Sequence, residues 1–260
     1  MNIFSDIIRY KDLLFMLTFR DIKIRYKQAA MGFLWAVFMP IIAILAGLFV
    51  KKAIAFVSGR YLEMSDVVTI AVKVLPWTFF ISAIKFSVNS LVGNRELVTK
   101  IYFPREVFPL AATLACLFDF SVAAVTISIL LALVNIGISI YILWLPFFLI
   151  LLILFTTGLG LFLSAANLFY RDVKYVVEII LMFGIFFTPV FYEAAQFEKY
   201  KNLLLLNPMA SILEAIYSCV VLHQMPDLFC IFYAFAISII VFLTGLIIFH
   251  KTEPLFAENI

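Results

Sequence analysis

Charge is scarce in this chain: 13% of its 260 residues are Asp, Glu, Lys or Arg, against 65% that are hydrophobic. A soluble domain carries about a quarter of its residues charged, so an ordinary water-soluble enzyme is excluded. Cysteine is equally sparse. Cys116, Cys219 and Cys230 make an odd count with no CxxC and no His/Cys cluster, which points to neither a disulfide framework nor a metal site. None of the nine glycines opens a GxxxxGK loop followed by Ser or Thr, and neither HExxH nor GxSxG occurs. The chain is therefore expected to hold no catalytic residue and no cofactor, and not to hydrolyse ATP by itself. Energy for any uphill movement would come from a partner subunit or an ion gradient. No apolar stretch precedes a small-residue cleavage site in the first thirty residues, so the first apolar span is expected to be retained.

What the chain has in abundance is long uncharged runs. Met31 to Val50 is about twenty residues without a charge, the length a helix rising ~1.5 Å per residue needs to cross ~30 Å of hydrocarbon. The pattern predicts an all-α membrane protein, a single domain over 1–260, with six transmembrane helices at 31–57, 72–93, 107–136, 142–168, 175–190 and 227–250. Residues 1–30 would be a cytoplasmic interface helix, 31–250 the membrane bundle and 251–260 a cytoplasmic tail. Six crossings put both termini on one side. That side carries Arg9, Lys11, Arg20, Lys23, Arg25, Lys27, Arg95, Lys100, Arg105, Arg171, Lys174 and Lys251. The other carries Lys51, Lys52, Arg60, Lys73, Lys199 and Lys201, and this excess makes the termini cytoplasmic.

Two segments stand apart from the spans. Phe15, Phe19, Ile22 and Tyr26 recur at helical spacing beside Arg20, Lys23 and Lys27, which describes an amphipathic helix in the inner interface facing anionic headgroups. A second stripe of Leu13, Leu17 and Ile24 implies packing on protein, and Asp21 with Arg25 reads as an i,i+4 pair. From Phe191 to Pro226 the chain holds NPMASILEAIYSCVVLHQMP, with Asn207 as N-cap and Pro208 at the first helical position. Its shortness and Glu214 favour an outer re-entrant or interfacial helix; the alternative is a seventh span that would send the C-terminus outside.

Ionisable residues deep in the spans are few: Lys85, Asp119 and Glu178. Lys85 and Asp119 lie at similar depth on adjacent helices and are expected to form an intramembrane charge pair. Aromatic residues make up 17% of the chain. Trp77, Tyr141 and Trp144 are assigned to an interfacial belt, most Phe to lipid contact, and some aromatic faces could lie against sugar rings along a path.

The cytoplasmic loops set aromatic residues beside charges, as a surface that docks into a groove on a soluble partner would, or an ordinary positive-inside turn. The segments FRDIKIRYKQAAMGFLW, KIYFPREVFPLA, NLFYRDVKYVVE, TPVFY and LNPM, in this order, resemble the membrane-spanning subunit of ABC-2 exporters. They are most similar to permeases for O-antigen, capsule or teichoic acid polymers, and the resemblance covers nearly the whole chain. It implies a subunit that pairs with itself and binds two copies of a cytoplasmic ATPase, which would hold the ATP and magnesium, in a bacterial inner membrane. The cargo would be a lipid-linked glycan, with no nucleic acid involved.

By motif, Glu96, Lys100, Tyr102, Phe103, Pro104, Arg105 and Glu106 correspond to the main segment coupled to the ATPase, and Phe169, Tyr170, Arg171, Asp172 and Lys174 to the second. Pro189, Tyr192, Asn207 and Pro208 correspond to an outer gate. Two rivals stand beside this reading: an ABC-2 exporter of a drug or small lipid, and a gradient-driven transporter.

Overall fold

Hydrocarbon offers the backbone no hydrogen-bonding partner, so an apolar run of this length satisfies its N–H and C=O groups within itself, as a helix. The computed structural model describes residues 9–27, 31–57, 59, 61, 64–100, 103–133, 137 and 139–256, and among these there are helices and no strand. Tyr102 and Arg60 lie outside the described residues. Among the described residues ten α-helices follow in order: α1 (Lys11–Tyr26), α2 (Trp35–Val57), α3 (Met64–Gly93), α4 (Arg95–Lys100), α5 (Val107–Leu133), α6 (Leu145–Phe169), α7 (Val173–Phe187), α8 (Lys201–Leu205), α9 (Pro208–Val220) and α10 (Leu228–Thr252).

Among the described residues, five stretches are long and apolar enough to cross a membrane: Trp35–Ala53, Ser65–Gly93, Val107–Ile129, Ile140–Phe169 and Leu228–Leu255. α7 occupies the place of the fifth expected span, but its 15 residues rise only about 22 Å, short of the ~30 Å hydrocarbon layer. α3 begins at Met64, well before the expected 72, which carries Asp66 into the helix alongside Lys73. Pro40 and Pro76 sit inside α2 and α3, as prolines do in membrane helices whose neighbours satisfy the freed carbonyls.

α6 and α10 pack closely because glycine meets glycine at their crossing: a methyl group on Gly245 would lie 2.2 Å from the Gly158 carbonyl oxygen. Small residues at this contact let the backbones approach and gain dispersion contacts that lipid does not supply. Two apolar cores result. One joins α3, α5, α6, α9 and α10 around Ile84, Phe148 and Ile212. The other gathers Leu17, Leu91, Val98, Phe108, Leu168, Phe249 and Phe256 at one end of the bundle. The end of α3, all of α4, the start of α5, and the ends of α6 and α10 therefore share that end with α1.

Several local expectations change in the folded chain. Leu13 and Leu17 pack on the second core, but Ile24 is exposed, because α1 turns only part of that stripe toward protein. Asp21 pairs with Arg20 at 2.8 Å rather than with Arg25. Trp77 is buried against Phe80 with ring centroids 5.7 Å apart, so it is a core residue and not part of a belt. The three cysteines are free and buried.

Candidate functional site

The loop between α3 and α5 is built on Asn94, whose carbonyl accepts from Leu97 N–H at 3.0 Å and Val98 N–H at 3.1 Å to start α4. Val98 plugs this short helix into the core, leaving Glu96 and Lys100 exposed as an i,i+4 pair at 3.5 Å. Phe103 packs on Phe108 at 5.4 Å, and Pro104 follows half-buried. Arg105 then turns inward: its backbone N–H donates to Glu253 Oε1 at 3.1 Å and its guanidinium to the Glu253 carbonyl. Glu106 is 1% exposed, with its carboxylate 3.5 Å from His250 Nε2.

The second loop is fixed by Asn167. Its amide donates to the Val88 carbonyl at 2.9 Å, and its oxygen accepts from Lys174 N–H at 3.3 Å, tying the end of α6 to α3 and to the start of α7. Phe169 lies edge-on to Phe256 at 5.9 Å. Tyr170, Arg171 and Asp172 are exposed, and Lys174 lies over the Tyr175 ring at 4.7 Å. Both loops thus reach one end of the bundle. Their exposed surface comes from Glu96, Lys100, Tyr170, Arg171 and Asp172, whereas Arg105 and Glu106 face the chain's own C-terminal segment.

Asp119 does not pair with Lys85. Its carboxylate accepts from Arg25 Nη1 and from the Tyr26 hydroxyl, each at 2.6 Å, and Arg25 Nη2 also reaches Cys116 Sγ at 3.3 Å. The expectation compared neighbouring spans only, but α1 packs along α5 and brings a cation from outside the spans; Lys85 is left on an exposed face of α3 with no ion pair among the described residues. The guanidinium sits 3.8 Å above the Phe86 ring. Burial, and then its bond to Asp119, push the Tyr26 hydroxyl above its ordinary pKa. Beside this cluster lies a cavity of about 410 Å³ with Trp35, Met39, Phe79 and Phe120 in its wall.

At the opposite end the chain buries charges that the sequence assigned to the outer side. Lys73 is 0% exposed, donating to Glu214 Oε1 at 2.7 Å and to the Tyr192 carbonyl at 3.1 Å, over the Tyr217 ring at 4.5 Å. Lys51 meets Asp66 at 2.6 Å and Glu193 at 3.6 Å. These ion pairs join α2, α3, α9 and the 188–194 turn. The N-cap at Asn207 is present, with its oxygen accepting from Met209 N–H at 3.0 Å while its amide donates to Thr188 Oγ1 at 2.9 Å. Asn207 and Pro208 thereby adjoin buried Pro189, and Tyr192 is held by Lys73 and by its own hydroxyl on the Phe186 carbonyl at 3.1 Å. Sequence reasoning missed Lys73 and Glu214 as partners. The signal was available, since a lone charge inside each of two apolar stretches at the same end needs a counterion.

The long apolar helices define a multi-pass helical membrane protein with its two charged loops gathered at one end. The model of the ABC-2 type transporter family matches residues 12–221, and the chain belongs to that family. It is similar to two proteins of Klebsiella pneumoniae named O-antigen export system permease protein RfbA, at 28% and 27% identity over 95% of this chain and 94% of each relative. A protein of the same name from Myxococcus xanthus is 26% identical over the full length of both chains.

Proposed function

We propose that this chain is the membrane-spanning permease of an ABC exporter that moves lipid-linked polysaccharide, O-antigen by its relatives' names, across the bacterial inner membrane. The observation that carries the reading is family membership combined with end-to-end similarity to permeases of that name. In this reading the chain is not itself an enzyme. Two copies pair, and two copies of a cytoplasmic ATP-binding subunit supply hydrolysis with bound ATP and magnesium. The loops carrying Glu96, Lys100, Tyr170, Arg171 and Asp172 meet that subunit, supported by their common end and exposure. Both termini are cytoplasmic, α1 lies in the inner interface, and α7 completes a sixth span by way of the 188–194 turn. α9 enters from the periplasmic side and returns, supported by its 13-residue length and its ion pair to Lys73.

The test is export in a strain deleted for this gene. Surface O-antigen should vanish while lipid-linked polymer accumulates inside, and the plasmid-borne gene should restore it only when the ATP-binding subunit has an intact nucleotide loop. Restoration with an ATPase-dead partner would overturn the reading and favour a gradient-driven transporter.

A further inference from the structure

The C-terminal segment after α10 touches both loops at once. Glu253 receives the Arg105 backbone N–H on Oε1, and its carbonyl receives the Arg105 guanidinium. His250 stands between two carboxylates, 3.3 Å from Glu253 and 3.5 Å from Glu106. Three residues beyond Glu253, Phe256 is 0% exposed, with its ring 5.1 Å from Phe249 and 5.9 Å from Phe169 of the other loop. An arginine meant for direct docking would keep its donors free, and a tail with no task would leave a phenylalanine in water. Here the guanidinium donates from Nη1 to the chain's own Glu253 carbonyl and the ring is fully covered, so a polar contact on one loop and an apolar contact on the other meet in one short turn of chain.

We propose that residues 250–256 form a clamp that locks the Arg105 segment to the Phe169 segment, so that the two move as one body with α10. The proposal rests on the reading of both segments as facing the ATP-binding subunit, and it makes Arg105 a positioning residue that acts through Glu253. Hydrolysis-driven displacement of either loop is then passed to the other and into the bundle, because close-packed contacts shift between discrete arrangements and do not deform continuously.

The experiment has two arms. In the first, the chain with its cysteines replaced is placed in lipid nanodiscs, with spin labels at Lys100→Cys and Arg171→Cys, and the label separation is measured by pulsed electron resonance. The parent should give one narrow distance distribution and Glu253→Ala a broad one. Glu253→Gln, which keeps an acceptor oxygen for the Arg105 N–H, should restore the narrow one; Phe256→Ala should broaden it, with Phe256→Leu as the better-packed check. A distribution for Glu253→Ala as narrow as the parent's overturns the clamp.

In the second arm, unlabelled chains are reconstituted with the ATP-binding subunit that co-purifies with them. Glu253→Ala should retain the bound subunit and its hydrolysis while polymer exported per ATP falls about tenfold, the scale of losing a hydrogen bond to a charged group. An unchanged ratio overturns the coupling role. If the parent retains no ATP-binding subunit, the partner-facing reading of the loops fails, and the first arm still decides whether the clamp exists.

Discussion

A carboxylate among apolar helices must be paired or pay the desolvation of an ion, and Asp119 is paired twice, with Arg25 and Tyr26. The pair also fastens α1 to the bundle, because it joins a helix that is otherwise largely exposed on its aromatic face to the middle of α5. Removing one partner should therefore cost more than removing both. Fully buried pairs lose about 3–5 kcal/mol on truncation of one partner. Arg25 and Asp119 keep 14% and 26% of their side-chain exposure, so a loss of about 1–3 kcal/mol is the matching expectation for each single variant. Thermal midpoints in detergent for Arg25→Leu, Asp119→Leu and the double variant check this. A double variant no more stable than either single one would show that the charges do not compensate each other.

At the scale of elements, the region from α7 to α10 decides the topology. α9 is short, capped by Asn207 and Pro208, and anchored by Glu214 to Lys73 of α3, at the end of the bundle opposite the two charged loops. Lys201 and Asp227 bracket it and approach within 3.6 Å, as the proposed entry and return from the periplasmic side requires. Single cysteines at these two positions, in a chain whose native cysteines are replaced, should both react with a membrane-impermeant maleimide added outside spheroplasts. Reaction of Asp227→Cys only after the membrane is opened would make α9 a seventh span and reverse the C-terminus.

For the whole molecule, the uneven covering of the helices points outward to assembly. α3 is largely buried within the chain, whereas α2 is mostly uncovered and α7 exposes Ile179, Ile180, Met182, Phe183, Phe186 and Phe187. Lipid alone tolerates such faces, but in an exporter whose path lies between two copies they are where the second copy would pack. Light scattering on the chain in nanodiscs, corrected for lipid, should return twice the 29.7 kDa of one chain. A mass of one chain in the active preparation would remove the pairing from the proposed mechanism.

The division between what the sequence determined and what the fold decided follows the range of the interactions. Apolar runs, the aromatic loops and the Asn207–Pro208 cap are properties of contiguous residues, so local composition and spacing were enough to read them. Helix propensity and hydropathy also set the five long spans, although not the start of α3 at Met64, where Asp66 made helix look like loop. Charge partners were beyond such a reading. Arg25 finds Asp119 across 94 residues, Lys73 finds Glu214 across 141 and Arg105 finds Glu253 across 148. Which cation lies nearest a carboxylate depends on how helices pack and rotate against each other, and that packing is decided by shape contacts such as Gly158 on Gly245. The same packing buried Trp77, left Lys85 on an exposed face and brought Glu253 and Phe256 onto the two charged loops.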